Sequence, residues 1–158
     1  MIFISHRGNM YGKDVDRENT IKYIDAALHE GFDVEIDVWM VGNELFLGHD
    51  DPETLISLTW LTKRSDSLWI HCKNLEALSF FNSFNLNFNY FFHDTDDATL
   101  TSLNFMWIYP GKQPVDGSIA VMPEIHDESV EKCLGICSDE IYRYRREYYE
   151  LQNHGNQP

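Results

Sequence analysis

Three short segments within the first fifty residues carry side chains suited to acid–base chemistry and to binding ions. These segments are His6-Arg7-Gly8, Glu35-x-Asp37 and Gly48-His49-Asp50. Histidine titrates near neutrality and can give or take a proton, and neighbouring carboxylates bind hard divalent cations through oxygen. Taken singly, each segment is also typical of a capping turn or of a solvated strand face.

A fourth segment, WIHCKN at residues 69–74, adds an imidazole, a thiol and a primary amine. Side chains alternate between the two faces of a β-strand, so His71 and Lys73 share one face and Cys72 lies on the other. We expect Cys72 to pack against a helix as a small buried hydrophobe. The segment therefore contributes His71 and Lys73, and not the thiol, to the candidate site.

The elements that must position these residues alternate along the chain between β-rich runs and amphipathic runs. Strands are predicted over residues 1–5, 32–40, 43–50, 67–72, 89–93, 105–110, 118–124 and 134–138. Helices are predicted over residues 18–31, 51–61, 75–84, 96–104 and 126–134. Such alternation favours a mainly parallel sheet. We predict an α/β fold, a compact TIM-type (β/α) barrel with about seven to eight mainly parallel strands and shortened or missing helices; a doubly wound open sheet is the alternative.

Several predicted strands end in polar residues, namely His6, Asp37, Lys73, His93, Tyr109, Glu124 and Asp139. In an α/β barrel the carboxyl ends of the strands form the edge at which active sites are built. A parallel strand is normally covered on both faces, so the carboxylates of Asp33, Glu35 and Asp37 on one face of residues 32–40 are most simply explained by a bound cation.

Size and charge limit the classes of partner. The chain has 158 residues, is 43% hydrophobic and carries a net charge of −14. We expect one domain over residues 1–152 with a flexible tail at 153–158, and no nucleic-acid partner, since the chain repels a phosphate backbone. An anionic ligand needs a metal or a few local cations. The absence of a leader or an apolar span, and an odd number of cysteines, favour a soluble cytoplasmic protein without membrane insertion, and we hypothesise a homodimer.

The motifs together resemble the glycerophosphodiester phosphodiesterase family. The matching residues are HRG at 6–8, ENT at 18–20, GFDVEIDV at 31–38 and GHD at 48–50. Further along, Lys73 lies where the family carries a Glu-x-Lys strand, and ICSD at 136–139 is similar to its final strand. The first fifty residues match in detail, the rest matches in outline, and the chain is much shorter than a typical member.

The resemblance implies a TIM-type barrel, a divalent cation and hydrolysis of a phosphodiester of a small alcohol. It implies that His6 and His49 are the general acid and base, and that Arg7 and Lys73 contact the phosphate. In the family the neighbouring hydroxyl of the substrate is the usual nucleophile, so that a cyclic phosphate forms and water then opens it. The resemblance also implies substrate-side roles for Glu18 and Asn19, which orient the first loop.

The resemblance further implies that Glu35 and Asp37 bind one divalent cation, Mg²⁺, Ca²⁺ or Mn²⁺. The family's third protein ligand is a glutamate, and His71 stands in its place. Imidazole binds Mn²⁺ or Zn²⁺ well but Mg²⁺ or Ca²⁺ poorly. Either His71 is a ligand and the metal preference has changed, or Glu124, and after it Asp139, supplies the missing carboxylate. A site that has lost its metal and its activity is the third interpretation.

From these residues we expect a metal-dependent phosphodiesterase that hydrolyses a small polyol or sugar phosphodiester by two-histidine catalysis. The alternative is an inactive protein that binds a phosphorylated metabolite or a carbohydrate, and a third interpretation is a lyase that stops at the cyclic product. His93-Asp94 and Tyr109 with Lys112 belong either to surface loops or to substrate selection, with Lys112 as a second phosphate contact.

Overall fold

Ten β-strands and four α-helices form the regular structure of residues 1–83 and 87–155, the part of the chain that the computed structural model describes. The strands are β1 (Ile2–His6), β2 (Asp33–Val41), β3 (Glu44–Leu47), β4 (Thr54–Ile56), β5 (Leu68–Cys72), β6 (Asn89–Phe91), β7 (Ala98–Leu100), β8 (Met106–Ile108), β9 (Ile119–Val121) and β10 (Gly135–Ser138). The helices are α1 (Ile21–His29), α2 (Leu58–Thr62), α3 (Leu75–Ser83) and α4 (Ile141–Gly155). Within the described ranges, none of these helices has the length and apolarity needed to cross a membrane.

One mixed sheet contains all ten strands and curls into a half-barrel. Its centre is a parallel series in the order β6-β5-β2-β1-β10-β9-β8. Three further strands are antiparallel: β3 pairs with the last residues of β2, β4 pairs with β3, and β7 pairs with β8. Among the described strands no backbone ladder joins β6 to β8, and the rings of Phe91 and Trp107, 4.7 Å apart, bridge that gap.

The predicted TIM-type barrel is therefore wrong. The sheet is open and mixed, and four short helices accompany ten strands, whereas a TIM barrel closes eight parallel strands inside a ring of eight helices. The physical reason is chain length: each parallel crossover normally needs a dozen or more residues, usually a helix. Here the hairpin of β7 and β8 follows β6 without an intervening helix. The doubly wound alternative is also not observed, because β3 and β7 run against the central strands and β4 joins the sheet only through an antiparallel pairing with β3.

The predicted helix at residues 51–61 is replaced by strand β4 followed by the short helix α2. Residues Thr54–Ile56 pair with β3, which extends the antiparallel arm of the sheet. The helix begins only after Ser57, whose hydroxyl accepts a hydrogen bond from the backbone N–H of Trp60. Pro52 suggests a helix start in the sequence, but the capping hydroxyl five residues later sets the actual one.

Two further predicted helices are absent from the structure. Residues 96–104 contain strand β7, in which Thr99 pairs with Trp107 and donates its hydroxyl to the carbonyl of Phe92. Residues 126–134 form irregular turns, and Asp127 has a φ of 50°, a left-handed conformation that interrupts a right-handed helix. Helix α3 ends at Ser83 as described, and Phe84, the last residue of its predicted range, lies outside the described residues.

At the C-terminus, α4 includes residues 153–155, which the sequence assigns to a tail. Residues 156–158 of that tail lie outside the described residues.

Two apolar clusters lie on opposite sides of the sheet. The outer cluster packs alternate residues of β2, Val34, Ile36 and Val38, against the helices. Cys72 belongs to this cluster together with Ala77 of α3, which confirms its predicted packing against a helix. The inner cluster fills the lower half of the curled sheet with Ile4, Trp69, Phe91, Trp107, Ile119, Val121 and Cys137.

The strand period places polar side chains directly above this inner cluster. Ile4 is followed two residues later by His6, Trp69 by His71, Phe91 by His93, Trp107 by Tyr109 and Cys137 by Asp139. Because the parallel strands share one direction, these polar residues meet at their common carboxyl edge. On the concave side of the sheet, the fold thus places a layer of polar side chains above the apolar inner cluster.

Candidate functional site

A cavity of about 590 Å³ opens at the carboxyl edge of the parallel strands. Its volume lies within the range of small-molecule sites. Its lining combines an ionic wall and an aromatic wall. The ionic wall consists of His6, Arg7, Glu35, His49, His71 and Lys73. The aromatic wall consists of Phe91, Phe92, His93, Trp107, Tyr109 and Pro110, with Asp94, Val121 and Met122 at its margins.

The centre of the ionic wall is the trio Glu35, Asp37 and His71. The register of β2 against β5 sets Asp37 directly beside His71, and their side chains meet at 2.9 Å between Oδ1 and Nδ1. Glu35 Oε1 lies 3.9 Å from the same Nδ1 atom. One ligand-type atom from each residue lies within 4.8 Å of the others, and all three residues are buried. Asp33, the third carboxylate of this strand face, instead accepts a hydrogen bond from the indole of Trp69 at the opposite end of the strand.

Asp37 uses its two oxygens differently. Oδ2 is held from the first loop, by the amide of Asn19 at 2.9 Å and by Arg7 Nε at 2.8 Å, and His49 Nδ1 lies 3.3 Å away. Oδ1 faces His71 and, at 3.5 Å, Lys73 Nζ. Burial opposes ionisation of Asp37, but hydrogen bonds from the two histidines and the charge of Arg7 hold its pKa well below the usual range. Asp37 is therefore a fixed anion, fully buried behind the cavity lining, with Oδ2 held by the first loop and Oδ1 beside His71 and Lys73.

Glu35, unlike Asp37, lacks hydrogen bonds within the described structure that would stabilise its charged form. Its side chain is 4% exposed, and Oε2 has no hydrogen-bond partner among the described residues. Burial, together with repulsion from Asp37, raises its pKa. A buried carboxylate without partners costs free energy unless it is neutralised or bound by a cation. This orphaned oxygen is an observation that points to a missing ligand.

These three residues fit a divalent cation. The 2.9 Å separation between His71 Nδ1 and Asp37 Oδ1 is that of adjacent ligands at about 2.1 Å from one small ion, which would displace the proton they share. Glu35 Oε1, at 3.9 Å from Nδ1, would bind at a wider angle or after a small shift of its side chain. Glu35 would contribute its carboxylate and Asp37 the Oδ1 atom beside His71, while Asn19 and Arg7 remain bound to Oδ2. The imidazole in the set favours Mn²⁺ or Zn²⁺ over Mg²⁺ or Ca²⁺.

His6 forms a dyad with Asp139. The two side chains meet at 2.7 Å between Nδ1 and Oδ1, and His6 Nε2 lies 3.8 Å from Glu35 Oε2. Burial works against a charge on the imidazole, but the hydrogen bond to Asp139 and the nearby carboxylate of Glu35 raise the pKa of His6 overall. Asp139 thereby fixes the proton on Nδ1 and leaves Nε2 to face the centre of the ionic wall.

The loop after β1 positions Arg7 through tight backbone geometry. Arg7 has a φ of 55°, its N–H bonds to the carbonyl of Glu35, and its guanidinium lies 3.3 Å from Glu18. The next residue, Gly8, approaches α1 so closely that a Cβ there would lie 2.8 Å from the ring of Tyr23. The glycine of the HRG motif is thus required by close packing.

The GHD loop positions His49 in a similar way. A Cβ on Gly48 would lie 1.9 Å from the carbonyl oxygen of Asp51, so only glycine fits there. The Gly48 carbonyl accepts a hydrogen bond from the indole of Trp39. His49 itself is 44% exposed, and Arg7 and Lys73 each lie 3.5 Å from one of its ring nitrogens. Of the two histidines of the motifs, His49 is the one open to solvent.

The aromatic wall adjoins the trio of Glu35, Asp37 and His71. It continues from His71 as a series of rings in contact with one another. His71 is sandwiched between Phe91, at 5.2 Å, and His93, at 4.5 Å. His93 contacts Tyr109 in turn, with 4.0 Å between ring centroids. Burial and the nearby His71 and Lys73 lower the pKa of His93 to about 4, and burial raises the pKa of Tyr109. These two predicted strand-end residues line the cavity rather than a surface loop.

The other predicted site residues divide between supporting positions and distant ones. Glu18 and Asn19 do not line the cavity; Glu18 binds Arg7 and Asn9, and Asn19 bonds both the side chain and the backbone N–H of Asp37. Glu124 accepts hydrogen bonds from Ser138 and from the N–H of Asp139, behind the site. Lys112 forms an exposed ion pair with Asp97 and is not part of the cavity lining.

Sequence reasoning missed Asn9 and the apolar lining. Asn9 is fully buried and its amide bridges Glu18 and Asp139 at 2.8 Å each, which ties the first loop to the last strand. Its signal was its position directly after the HRG motif, where a buried polar residue must find partners. Met122, a lining residue with a φ of 48°, gave no signal that distinguishes it from core.

Comparisons of the chain with family models, with curated proteins and with solved structures return no match. The functional interpretation therefore rests on the motifs and on the geometry of the site.

Proposed function

We propose that this protein is a metal-dependent phosphodiesterase that hydrolyses a phosphodiester of a small polyol or sugar. The observation that carries the proposal is the buried trio of Glu35, Asp37 and His71, with an unpartnered oxygen on Glu35. Glu35 and His71 line the same cavity as two further histidines and two cationic side chains. A divalent cation there would supply charge stabilisation for a phosphate group. The remaining chemistry falls to the side chains around it.

In the proposed reaction Arg7 and Lys73 hold the phosphate by charge. Both lie against the cavity, with side chains 10% and 15% exposed, so their charges are little screened by solvent. His6, with its raised pKa, holds a proton on Nε2 that it can donate to the departing alcohol oxygen. His49, near Arg7 and open to solvent, is the base that removes a proton from the attacking hydroxyl group.

The nucleophile in this proposal is a hydroxyl of the substrate or water. Cys72, Cys133 and Cys137 are all free and buried, and none lines the cavity. The proposal includes a cytoplasmic location, which the three unpaired cysteines favour.

The test is release of the alcohol from glycerophosphodiesters with Mn²⁺, Zn²⁺, Mg²⁺ or Ca²⁺ added to chelated protein. We expect turnover with Mn²⁺ and loss of about 10²-fold or more in His6→Ala and in His49→Ala, with folding unchanged by circular dichroism. Full activity in either variant contradicts the assigned roles. Phosphorus NMR of the product separates complete hydrolysis from a lyase that stops at the cyclic phosphate.

A second candidate is a non-hydrolytic binding protein for a phosphorylated metabolite or a carbohydrate. It is favoured by the fact that Asp37 is already neutralised by Arg7, His71 and Lys73 without any added cation. This candidate predicts that a phosphorylated ligand raises the melting temperature while none of the four metals yields turnover. Metal-dependent turnover rejects it.

A further inference from the structure

We propose that the aromatic wall binds a cyclic polyol, a sugar-type ring with several hydroxyl groups, as one of the two alcohol groups of the phosphodiester. The ligand would lie against Tyr109 and Pro110, above the nearly buried ring of Trp107, and hydrogen-bond to His93 and Tyr109. This inference rests on the proposed function for the phosphate end of the ligand and names the substrate class at the other end.

Two unpartnered polar atoms carry the inference. Nδ1 of His93 and the hydroxyl of Tyr109 are both buried, and neither has a hydrogen-bond partner among the described residues. Their rings contact each other at 4.0 Å and both line the cavity. Buried polar atoms in native proteins are nearly always satisfied by protein, water or ligand. We infer that a hydroxyl group of a ligand seated at this wall is the missing partner.

Apolar side chains adjoin these two residues on one side, and polar ones line the same cavity nearby, namely His71, Lys73 and Asp94. Phe91, Trp107 and Pro110 line the cavity on the same side, and the ring of Phe91 packs against that of Trp107 at 4.7 Å. A wall of this kind matches a ligand with a flat apolar face and hydroxyl groups at its edge. A sugar-type ring has both features, whereas a linear polyol lacks the rigid face and a plain aromatic alcohol lacks the additional hydroxyl groups.

The position of the wall relative to the ionic residues supports the same assignment. Tyr109 follows His93 in the stack of rings, and His93 follows His71, which belongs to the metal-type trio. A phosphate held at Arg7 and Lys73 therefore leaves its attached alcohol beside the aromatic wall. One ligand can span both walls only if it has an anionic end and a hydroxylated apolar end.

The test compares three phosphomonoesters by isothermal titration calorimetry in the presence of Mn²⁺: glucose 1-phosphate, methyl phosphate and phenyl phosphate. We expect glucose 1-phosphate to bind about tenfold more tightly than methyl phosphate, since it gains two hydrogen bonds and a ring contact. In Tyr109→Phe the tenfold preference for glucose 1-phosphate over methyl phosphate should fall, and in His93→Phe/Tyr109→Phe it should fall further, towards onefold. The Kd of methyl phosphate should stay unchanged in both variants. Tyr90→Phe is the matched control, because its phenol lies outside the cavity and bonds Asn82.

The single Tyr109→Phe variant removes one oxygen atom and keeps the ring, so it remains informative if the double variant does not fold. Equal binding of glucose 1-phosphate and methyl phosphate, or no binding of glucose 1-phosphate, overturns the proposal. Phenyl phosphate that binds as tightly as glucose 1-phosphate in wild type and double variant alike also overturns it. Sugar preference without turnover rejects only the proposed function, and turnover without sugar preference rejects only the cyclic polyol subsite.

Discussion

The imidazole of His6 and the carboxylate of Asp139 meet at 2.7 Å, although 133 residues separate them in the chain. The parallel pairing of β1 with β10 makes this contact, because His6 and Asp139 each follow directly after paired residues of neighbouring strands. The protein's first and last strands thus build one acid–base group between them.

Replacing Asp139 by asparagine should lower the pKa of His6, because the charge that favours the imidazolium is lost. The pKa of His6 is raised from 6.5, so its stabilising effect is complete below pH 6.5 and disappears as pH rises through the folded pKa. The pKa of Asp139 is lowered from 3.8, so its effect is present above pH 3.8 and disappears as pH falls through the folded pKa. Asp139→Asn should therefore lower the free energy of unfolding by about 2 kcal/mol, with the largest effect between pH 3.8 and 6.5.

NMR titration of His6 and urea unfolding across pH measure these two effects. Asp97→Asn is the control, since Asp97 pairs only with the exposed Lys112 in the described structure. An unchanged His6 pKa in Asp139→Asn contradicts the dyad.

Glu35→Gln should have opposite effects with and without metal. In the metal-free protein it removes a buried charge whose pKa is raised, so the free energy of unfolding at neutral pH should increase by on the order of 1 kcal/mol. In wild type, Mn²⁺ at a hundred times its Kd should add about 2.7 kcal/mol, or roughly 5–10 °C in Tm. Glu35→Gln should abolish this gain.

Differential scanning calorimetry with and without Mn²⁺ measures both effects. Asp33→Asn, on the same strand but bonded to Trp69, should keep the metal response. A Glu35→Gln protein that Mn²⁺ stabilises as strongly as wild type shows that Glu35 is not a ligand.

His71→Glu should change which metal binds. A carboxylate in place of the imidazole makes an all-oxygen site, so affinity for Mg²⁺ should rise relative to Mn²⁺ by roughly tenfold or more. Competition titrations of the two ions give the ratio. The exposed His126→Glu serves as the control, because it adds the same charge away from the cavity. If the Mg²⁺ to Mn²⁺ ratio is the same in His71→Glu and wild type, His71 does not bind the ion.

Gly48→Ala should destabilise the protein by about 3 kcal/mol or displace the GHD loop, because the new Cβ would overlap the carbonyl of Asp51. Gly42→Ala is the matched control: Gly42 also has a positive φ, of 61°, but a Cβ there meets no described atom within 4 Å. Gly42→Ala should lower the free energy of unfolding only by the cost of a left-handed backbone at alanine, about 1 kcal/mol. Thermal unfolding measures both, and similar losses would show that the close approach at Gly48 is unimportant.

Lys73→Met and Lys112→Met should differ in their effect on the binding of inorganic phosphate. Lys73 is nearly buried in the ionic wall, so its loss should weaken binding of inorganic phosphate about tenfold or more. Lys112 is 46% exposed and paired with Asp97, so its loss should leave phosphate binding unchanged. Calorimetric titration compares the two variants. If both variants bind phosphate equally weakly, Lys112 is also a phosphate contact.

The sequence was sufficient to predict those features that depend on local periodicity. The two-residue repeat along β2 and β5 predicts that Glu35, Asp37, His71 and Lys73 face one side and Cys72 the other, as the structure has them. It could not predict that the sheet stays open between β6 and the hairpin of β7 and β8. That depends on whether residues 96–104 continue as a helix or turn back to pair with β8, and the backbone pairing of Thr99 with Trp107 decides it.

The partners of buried polar groups were also beyond sequence reasoning. Glu124 and Asp139 are both acidic residues near strand ends, and the sequence ranks Glu124 as the better metal ligand. In the structure Glu124 bonds the backbone of Asp139, and Asp139 bonds His6. The difference arises from the position of β10 between β1 and β9, a long-range relationship that residue spacing does not contain.

The gap between β6 and β8 has a consequence for how this cavity can change in evolution. A closed barrel fixes its bore through strand number and stagger, so resizing it requires a new hydrogen-bond register. Here no ladder among the described strands spans the gap: a backbone hydrogen bond from Ser102 to the carbonyl of Tyr90, the hydroxyl of Thr99 and the rings of Phe91 and Trp107 cross it. Exchanging one ring for a smaller residue would therefore widen the bore while every ladder of the sheet, and the ionic wall that the ladders support, stays in place.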